Sequence, residues 1–376
     1  MALNENDNLL CDAIEDWRRP PAGTTKFVVG LMEGEGVGSD LIAVVRDIIA
    51  RIEQATPYRF DIRNSGGGTS GGPLNAADIE FFGAVFDAGG AAICGPRGGR
   101  FVYELRRDFD LYCKFAPIRP CLALEDVGVV DAGRRRDVDI VVVRENARGV
   151  YLGEWGRREE ADGSVVASHS FEYDTATVSR ILGVALNLAE RRRGRLCLVV
   201  KPGGVPTISA LWSDTLAVLA DGRRVEVSTL EVDTAAYQVV AAGPDFDVIV
   251  APNLFGDVIA DVAAVHLPTR GMSYSGNYGP AGRAVYQTGH GAAYDLAGTG
   301  TANPVGQVMS LAMMLRESFG LGAVAGAVEK AIDLTVGDGW RTPDIQSAAA
   351  AAVGTREMGK KIAENTARLL CTARVA

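Results

Sequence analysis

Three observations predict an α/β protein. Short runs of Val, Ile and Leu recur along the chain with few polar residues, the composition of strands buried on both faces. Between them stand stretches whose apolar residues recur at the three-to-four spacing of an amphipathic helix. The chain has 376 residues, enough for two domains or one elaborated one, so its folding requires neither metals nor disulfides.

The elements follow in order. The first 25 residues end in Pro20-Pro21 and read as an appendage with one short helix over LLCDAIEDW (9–17). KFVVGLM (26–32) is the first strand, and DLIAVVRDIIARIEQA (40–55) a helix with apolar positions 41, 45, 48 and 52 and Ser39 or Asp40 as its cap. SGGGTSGGP (65–73) reads as a long surface loop. AAICG (91–95), VDIVVVRE (138–145), RLCLVVK (195–201), VEVSTLEV (225–232) and FDVIVAP (246–252) are further strands. TVSRILGVALNLAERRRG (177–194) is a helix closed by arginines and a glycine. The arginine runs at 134–136 and 191–195 each precede a strand and read as solvated turns.

The formal net charge of -9 argues against a nucleic-acid or membrane-surface binder, because phosphate contacts need a basic face. No apolar run approaches the roughly 20 residues that span a bilayer. The acidic start lacks the pattern of a signal or transit peptide, so a cytoplasmic location is expected. Six cysteines (11, 94, 113, 121, 197, 371) form no CxxC pair and read as buried free thiols. Three histidines, His169, His266 and His290, are too few for a His-rich metal site.

Several segments carry chemistry. GEGVG (34–38) stands between a strand and a helix, where a dinucleotide phosphate loop would stand, but its spacing is GxGxG and Glu35 lies inside it. NLFGDVIADVAA (253–264) places Asp257 and Asp261 one helical turn apart. With Asp233 in EVDTAAYQ they form an oxygen-only set suited to Mg2+ or Mn2+. On spacing alone, the favoured reading is Asp257 as a helix cap near Gly256 and Asp261 as a solvated helix residue. Arg106, Arg119 and Arg144 each adjoin an apolar segment and could grip a di- or tricarboxylate bidentately, or make surface salt bridges. Lys201, closing an apolar strand, either snorkels to water or does acid/base work, and Tyr151 lies in GVYLGE.

Taken in order, GEGVGSDL, LRRDFDLY, IRP, VVREN, GVYLGE, VVK, VDTAAYQ, NLFGDVIADVAA and TGHGAAYDLAGTGTANPVGQVMSLAMML resemble the β-decarboxylating dehydrogenases, the family of isocitrate, isopropylmalate, homoisocitrate and tartrate/malate dehydrogenases. The resemblance runs from about residue 26 to the C-terminus. It implies the two-domain isocitrate/isopropylmalate dehydrogenase-like fold and not a Rossmann fold. Residues 26–120 and 267–376 would form the large cofactor-binding domain, and 121–266 a small domain that dimerises, with active sites shared in a homodimer. It further implies Asp233, Asp257 and Asp261 as metal ligands, with Asp233 and Lys201 from the partner subunit. Arg106, Arg119 and Arg144 would hold the substrate, a small hydroxy di- or tricarboxylate. Tyr151 and Lys201, with Asp233 nearby, would be the acid/base groups, and His290, Gly291, Asp295 and Asn303 would hold NAD. A carboxylate at Asp295 would hold a ribose diol and repel a 2′-phosphate, favouring NAD over NADP. The implied reaction oxidises a 2-hydroxy acid and releases its β-carboxylate as CO2, with Mg2+ or Mn2+ bound.

Some positions depart from the family. Gly203 replaces an asparagine two residues after Lys201, Gln287 a glutamate before the histidine, and Ser39-Asp40 a Pro-Glu. The segment CKFAP (113–117) reads as extra residues before IRP. Where isopropylmalate enzymes carry a leucine pair, this chain has Val102 and Tyr103, with Arg97 and Arg100 flanking the loop, so the expected C3 substituent is polar or anionic. Two other readings remain: a tartrate- or malate-like substrate oxidised without decarboxylation, and a catalytically silent regulatory paralogue. Retention of Tyr151, Lys201, the aspartates and the arginines weighs against the second.

Overall fold

A computed structural model describes residues 10–66, 72–347 and 352–373. Positions 67–71 of the expected glycine-rich loop, and residue 9 of the expected short helix, lie outside these. The strands among the described residues are β1 Lys26–Met32, β2 Arg59–Asn64, β3 Ala91–Cys94, β4 Cys113–Ile118, β5 Ile140–Glu145, β6 Glu154–Glu159, β7 Val165–Ser170, β8 Arg195–Val200, β9 Glu226–Glu231, β10 Val248–Ala251, β11 Tyr274–Tyr278 and β12 Ala284–Thr288. The helices are α1 Gly38–Ala55, α2 Ala76–Asp87, α3 Phe101–Asp108, α4 Ala132–Arg135, α5 Thr175–Arg191, α6 Pro206–Ala220, α7 Val232–Ala241, α8 Asn253–Ala263, α9 Val305–Glu317, α10 Gly322–Gly337 and α11 Thr355–Ala373.

Ten strands form one sheet in the order β2-β1-β3-β12-β11-β4-β5-β10-β8-β9, and β6 and β7 pair separately as a hairpin. β2, β1, β3 and β12 are mutually parallel, as are β5, β10, β8 and β9. The two parallel halves meet through the antiparallel strands β11 and β4. Helices bury the sheet. α1 turns Leu41, Val45, Ile48 and Ile52 into the core and packs on α11 and α9, so the first and last helices close one layer.

Local chemistry refines several expectations. α1 begins without a side-chain cap, at Val37, so neither Ser39 nor Asp40 caps it. α5 is capped by Asp174, which accepts from the Thr177 amide at 2.7 Å. β9 is an edge strand with most side chains exposed, not a strand buried on both faces. Its one open edge and alternating polar residues account for the difference.

The arginine runs are only partly solvated. Arg135 is buried and donates to the carbonyls of Leu124 and Glu125, and Arg192 pairs with buried Asp247 at 2.7 Å. CKFAP forms most of β4, an interior strand, and not a surface loop. The part of the N-terminal segment that is described is no loose appendage either. It has one 3-10 turn at Leu10–Ala13, and Cys11 is buried with its amide donating to Glu317 at 3.1 Å. Trp17 stands edge-on to the Tyr278 ring at 5.3 Å.

Candidate functional site

The candidate site is built around the carboxyl ends of β5 and β10, where α/β sheets collect ligands. Arg144 is the fifth residue of β5 and its side chain is 2% exposed. Its guanidinium donates to Asn253 Oδ1 from Nε at 3.0 Å and Nη2 at 2.7 Å, and from Nη1 to Asp257. Asn253 in turn donates to the Arg148 carbonyl at 2.6 Å, and its amide donates to the Tyr173 hydroxyl at 2.9 Å. α8 starts at Asn253, so Asp257 stands a full turn inside the helix and is not its cap. The Tyr151 hydroxyl donates to the other Asp257 oxygen at 3.0 Å, and its ring lies 4.8 Å from that of Tyr103.

Two more cations stand beside this group. Arg106, near the end of α3, is 5% exposed, and Lys114 on β4 is 8% exposed. Among the described residues neither side chain has a hydrogen bond or ion pair. Burial, then repulsion from Arg144, lowers Arg106 to about 10. Burial, then Arg144 and Arg106, lowers Lys114 to about 7. Burial works to raise Asp257, but Arg144, Lys114 and Arg106 outweigh it and hold the carboxyl below its usual range. Burial and the neighbouring Asp257 carboxylate raise Tyr151 to about 12, so its phenol keeps its proton. Buried cations without counter-ions are costly, and an anionic ligand is what would compensate them.

Asp261, one turn beyond Asp257, accepts from Arg270 Nη2 on both oxygens at 2.9 Å. Burial and the Asp257 charge raise its pKa against the pull of Arg270. The two carboxylates offer hard oxygen donors on one helix face, a set that fits Mg2+ or Mn2+. The Lys201 ammonium lies elsewhere, donating to Glu231 at 2.6 Å and Asp233 at 2.9 Å. These bonds raise Lys201 and hold Asp233 below its ordinary value. Among the described residues neither Lys201 nor Asp233 bonds to Tyr151, Asp257 or Asp261, and no three His, Cys, Asp or Glu are grouped to hold a metal.

Apart from this cluster, a cavity of about 330 Å3 is lined by Val37, His290, Gly291, Leu296, Asn303 and Asp344, among others. Burial lowers His290, whose Nδ1 lies 2.8 Å from the Gly291 carbonyl. Asn303 accepts from the Val305 amide at 3.0 Å and donates to Asp344 at 3.1 Å. Asp295 is exposed and does not line this cavity. Asp344 does, fixed also by the hydroxyls of Thr269 and Thr342, each at 2.7 Å. GEGVG acts as a supporting turn. Gly36 has φ +56 and a Cβ there would stand 1.8 Å from the Ala292 carbonyl oxygen, so only glycine lets this turn abut the His290 loop.

Two expected arginines are not in the pocket. Arg119 is exposed and pairs with Asp139 at 3.3 Å. It lies five residues along the chain from Lys114, about 17 Å at strand rise, because β4 carries it to the opposite end of the sheet. Arg97 pairs with Glu35 at 3.5 Å and stacks on Phe101, while Arg100 donates to the Tyr151 carbonyl at 2.9 Å. Lys114, Arg270 and Asp344 carry no motif of their own, and Asn253 opens NLFGDVIADVAA but drew no role beside its two aspartates. The only sequence signal for Lys114 was a lone lysine between apolar residues.

The sequence model described as isocitrate/isopropylmalate dehydrogenase matches residues 28–362. The 3-isopropylmalate dehydrogenase of Synechococcus sp. (strain CC9605) is 33% identical over 349 residues, covering 89% of this chain and 98% of that protein. That of Aquifex aeolicus (strain VF5) is 31% identical over 363 residues, covering 92% and 98%. The crystal structure of isocitrate dehydrogenase from Methylococcus capsulatus superposes with a TM-score of 0.79 at 26% identity, covering 91% of this chain and 99% of that one. The chain therefore belongs to the isocitrate/isopropylmalate dehydrogenase family and is an oxidoreductase of the β-decarboxylating hydroxy acid type.

Proposed function

We propose that the chain is a cytoplasmic, NAD- and Mg2+- or Mn2+-dependent enzyme that oxidises and decarboxylates a 3-substituted malate, working as a homodimer with shared active sites. The observation that carries this reading is the excess of buried positive charge facing the Tyr151–Asp257 pair. Arg106 and Arg144 would bind substrate carboxylates, and Asn253 presets the Arg144 fork. Tyr151 retains its proton at neutral pH and so is able to deliver it to C3 after CO2 leaves. Lys201 of one chain would enter the partner's site and, once released from Glu231 and Asp233 and having lost its ammonium proton to solvent, take the hydroxyl proton as the neutral amine. Asp257 and Asp261, with Asp233 of the other chain, would hold the metal, which supplies Lewis acidity at the hydroxyl and adjoining carboxylate oxygens.

The 330 Å3 cavity supports the cofactor assignment. His290, Gly291 and Asn303 line it, Asp295 flanks it, and Asp344 adds a carboxylate that would repel a 2′-phosphate, which favours NAD. The packing of α1 on α11, and the antiparallel junction at β11 and β4, support a division into 26–120 with 267–376 and 121–266. Exposed Tyr237, Val240, Leu254 and Val258 on α7 and α8 support dimerisation through the second unit. The six free cysteines fit a reducing compartment. Arg100 and Tyr103 beside Tyr151 support a polar or anionic C3 substituent, whereas Arg97 is engaged by Glu35.

The test is turnover of isocitrate, 3-isopropylmalate, tartrate and malate with NAD+ or NADP+ and Mg2+ or Mn2+, following reduced nicotinamide and CO2 together. NAD+-linked oxidation with matching CO2 is expected, strongest with a polar or anionic C3 group. Oxidation without CO2 overturns the decarboxylation, 3-isopropylmalate as best substrate overturns the C3 assignment, and activity that survives chelation overturns the metal. No turnover with any of these acids sinks the whole reading.

A further inference from the structure

Lys114 is a buried lysine whose ammonium has no hydrogen-bond or ion-pair partner among the described residues. It sits on interior strand β4, directly across from Arg144 in the register, with its side chain enclosed. The charged groups that face it are Arg144 on β5, Arg106 on α3, and Asp257 and Asp261 on α8. Both carboxylates are already taken: Asp257 bonds Arg144 and Tyr151, and Asp261 bonds Arg270. A lysine kept for structure would pair or reach water with its ammonium. This one pairs with nothing among the described residues and is only 8% exposed, and an apolar residue would fill interior β4 at less cost.

We propose that Lys114 is a substrate-binding residue, whose ammonium joins Arg106 and Arg144 in holding the substrate's carboxylates and takes the place expected of Arg119. This rests on the reading of the pocket as a hydroxy-carboxylate site. An ammonium is a point charge without the bidentate fork of a guanidinium, so this third contact selects by charge count and tolerates varied carboxylate orientation.

Lys114→Met and Lys114→Gln are compared with the wild type by kinetics on its best substrate and by thermal unfolding with and without malate. Loss of one charge-assisted contact raises KM roughly tenfold or more, with smaller change in kcat and unchanged NAD affinity. Malate raises the Tm of the wild type but not of the variants, while the unliganded variants melt no lower than the wild type, because an uncompensated buried charge has gone. If Lys114→Met does not fold, Lys114→Gln alone decides. Variants that melt lower unliganded, yet keep the malate shift and KM, overturn the inference and leave the enzyme reading standing. A malate shift lost in the variants, in a wild type that oxidises no hydroxy acid, overturns the enzyme reading and leaves Lys114 as an anion ligand. A wild type with neither turnover nor a malate shift overturns both.

Discussion

Arg144 and Glu145 are neighbours on β5 with opposite duties. Strand alternation sends Arg144 toward α8 and the pocket, and sends Glu145 toward the turn that leads to Tyr151. Glu145 is 0% exposed and accepts from the amides of Ala147 at 2.8 Å and Arg148 at 3.1 Å. Burial outweighs those bonds and raises its pKa to about 7. The folded chain therefore holds this proton more tightly than the unfolded chain does. Its stabilising effect is complete below the unfolded value of 4.5 and is lost as pH rises through about 7. The wild type's unfolding free energy, measured against that of Glu145→Gln in urea across this range, is expected to fall by on the order of 2 to 3 kcal/mol as pH rises. A difference that stays level or grows with pH would overturn the assignment of burial as the dominant effect.

At the scale of elements, the contact of α8 with β5 sets the site. A Cβ on Gly256 would stand 2.9 Å from both Cβ and Cγ of Arg144, so the helix lies as close as a glycine allows. Gly256→Ala is expected to lift α8, cost about 1–3 kcal/mol in urea unfolding, and lower kcat/KM by moving Asp257 away from Arg144 and Tyr151. Gly203 has no heavy atom within 4 Å of its Cβ position, so Gly203→Ala is the matched control and should leave stability within about 0.5 kcal/mol. Equal effects of the two substitutions would refute the close-packing account. The α8 helix was legible because its apolar period and paired carboxylates lie within one short segment. β4 was not, since Lys114 and Pro117 interrupt the apolar run of CKFAPI. Burial of Lys114 depends on α3 and β5, which pattern within one segment cannot express, and Arg119 drew attention by adjoining an apolar segment and by the resemblance of IRP. Asp344 was hidden for the same reason, as its partners Thr269 and Asn303 are distant in the chain.

The alternation of apolar runs and helical stretches made the α/β class readable across the molecule, but strand order depends on long-range pairing and was not. That order matters for function: it leaves the Lys201–Glu231–Asp233 group beside edge strand β9, apart from Tyr151, Asp257 and Asp261. Each group is incomplete for acid/base chemistry by itself, whereas a two-fold dimer that brings β8 and α7 of one chain to α8 of the other would complete two equal sites. Lys201→Ala and Asp257→Asn homodimers should then each be inactive. Unfolded and refolded together in equal amounts, they should regain activity, because every mixed dimer has one site in which both residues are native. Random pairing makes half the dimers mixed and restores about a quarter of wild-type activity. Activity that remains at the level of the separate variants, with mixed dimers demonstrated by mass, would mean that the active sites are not shared between chains.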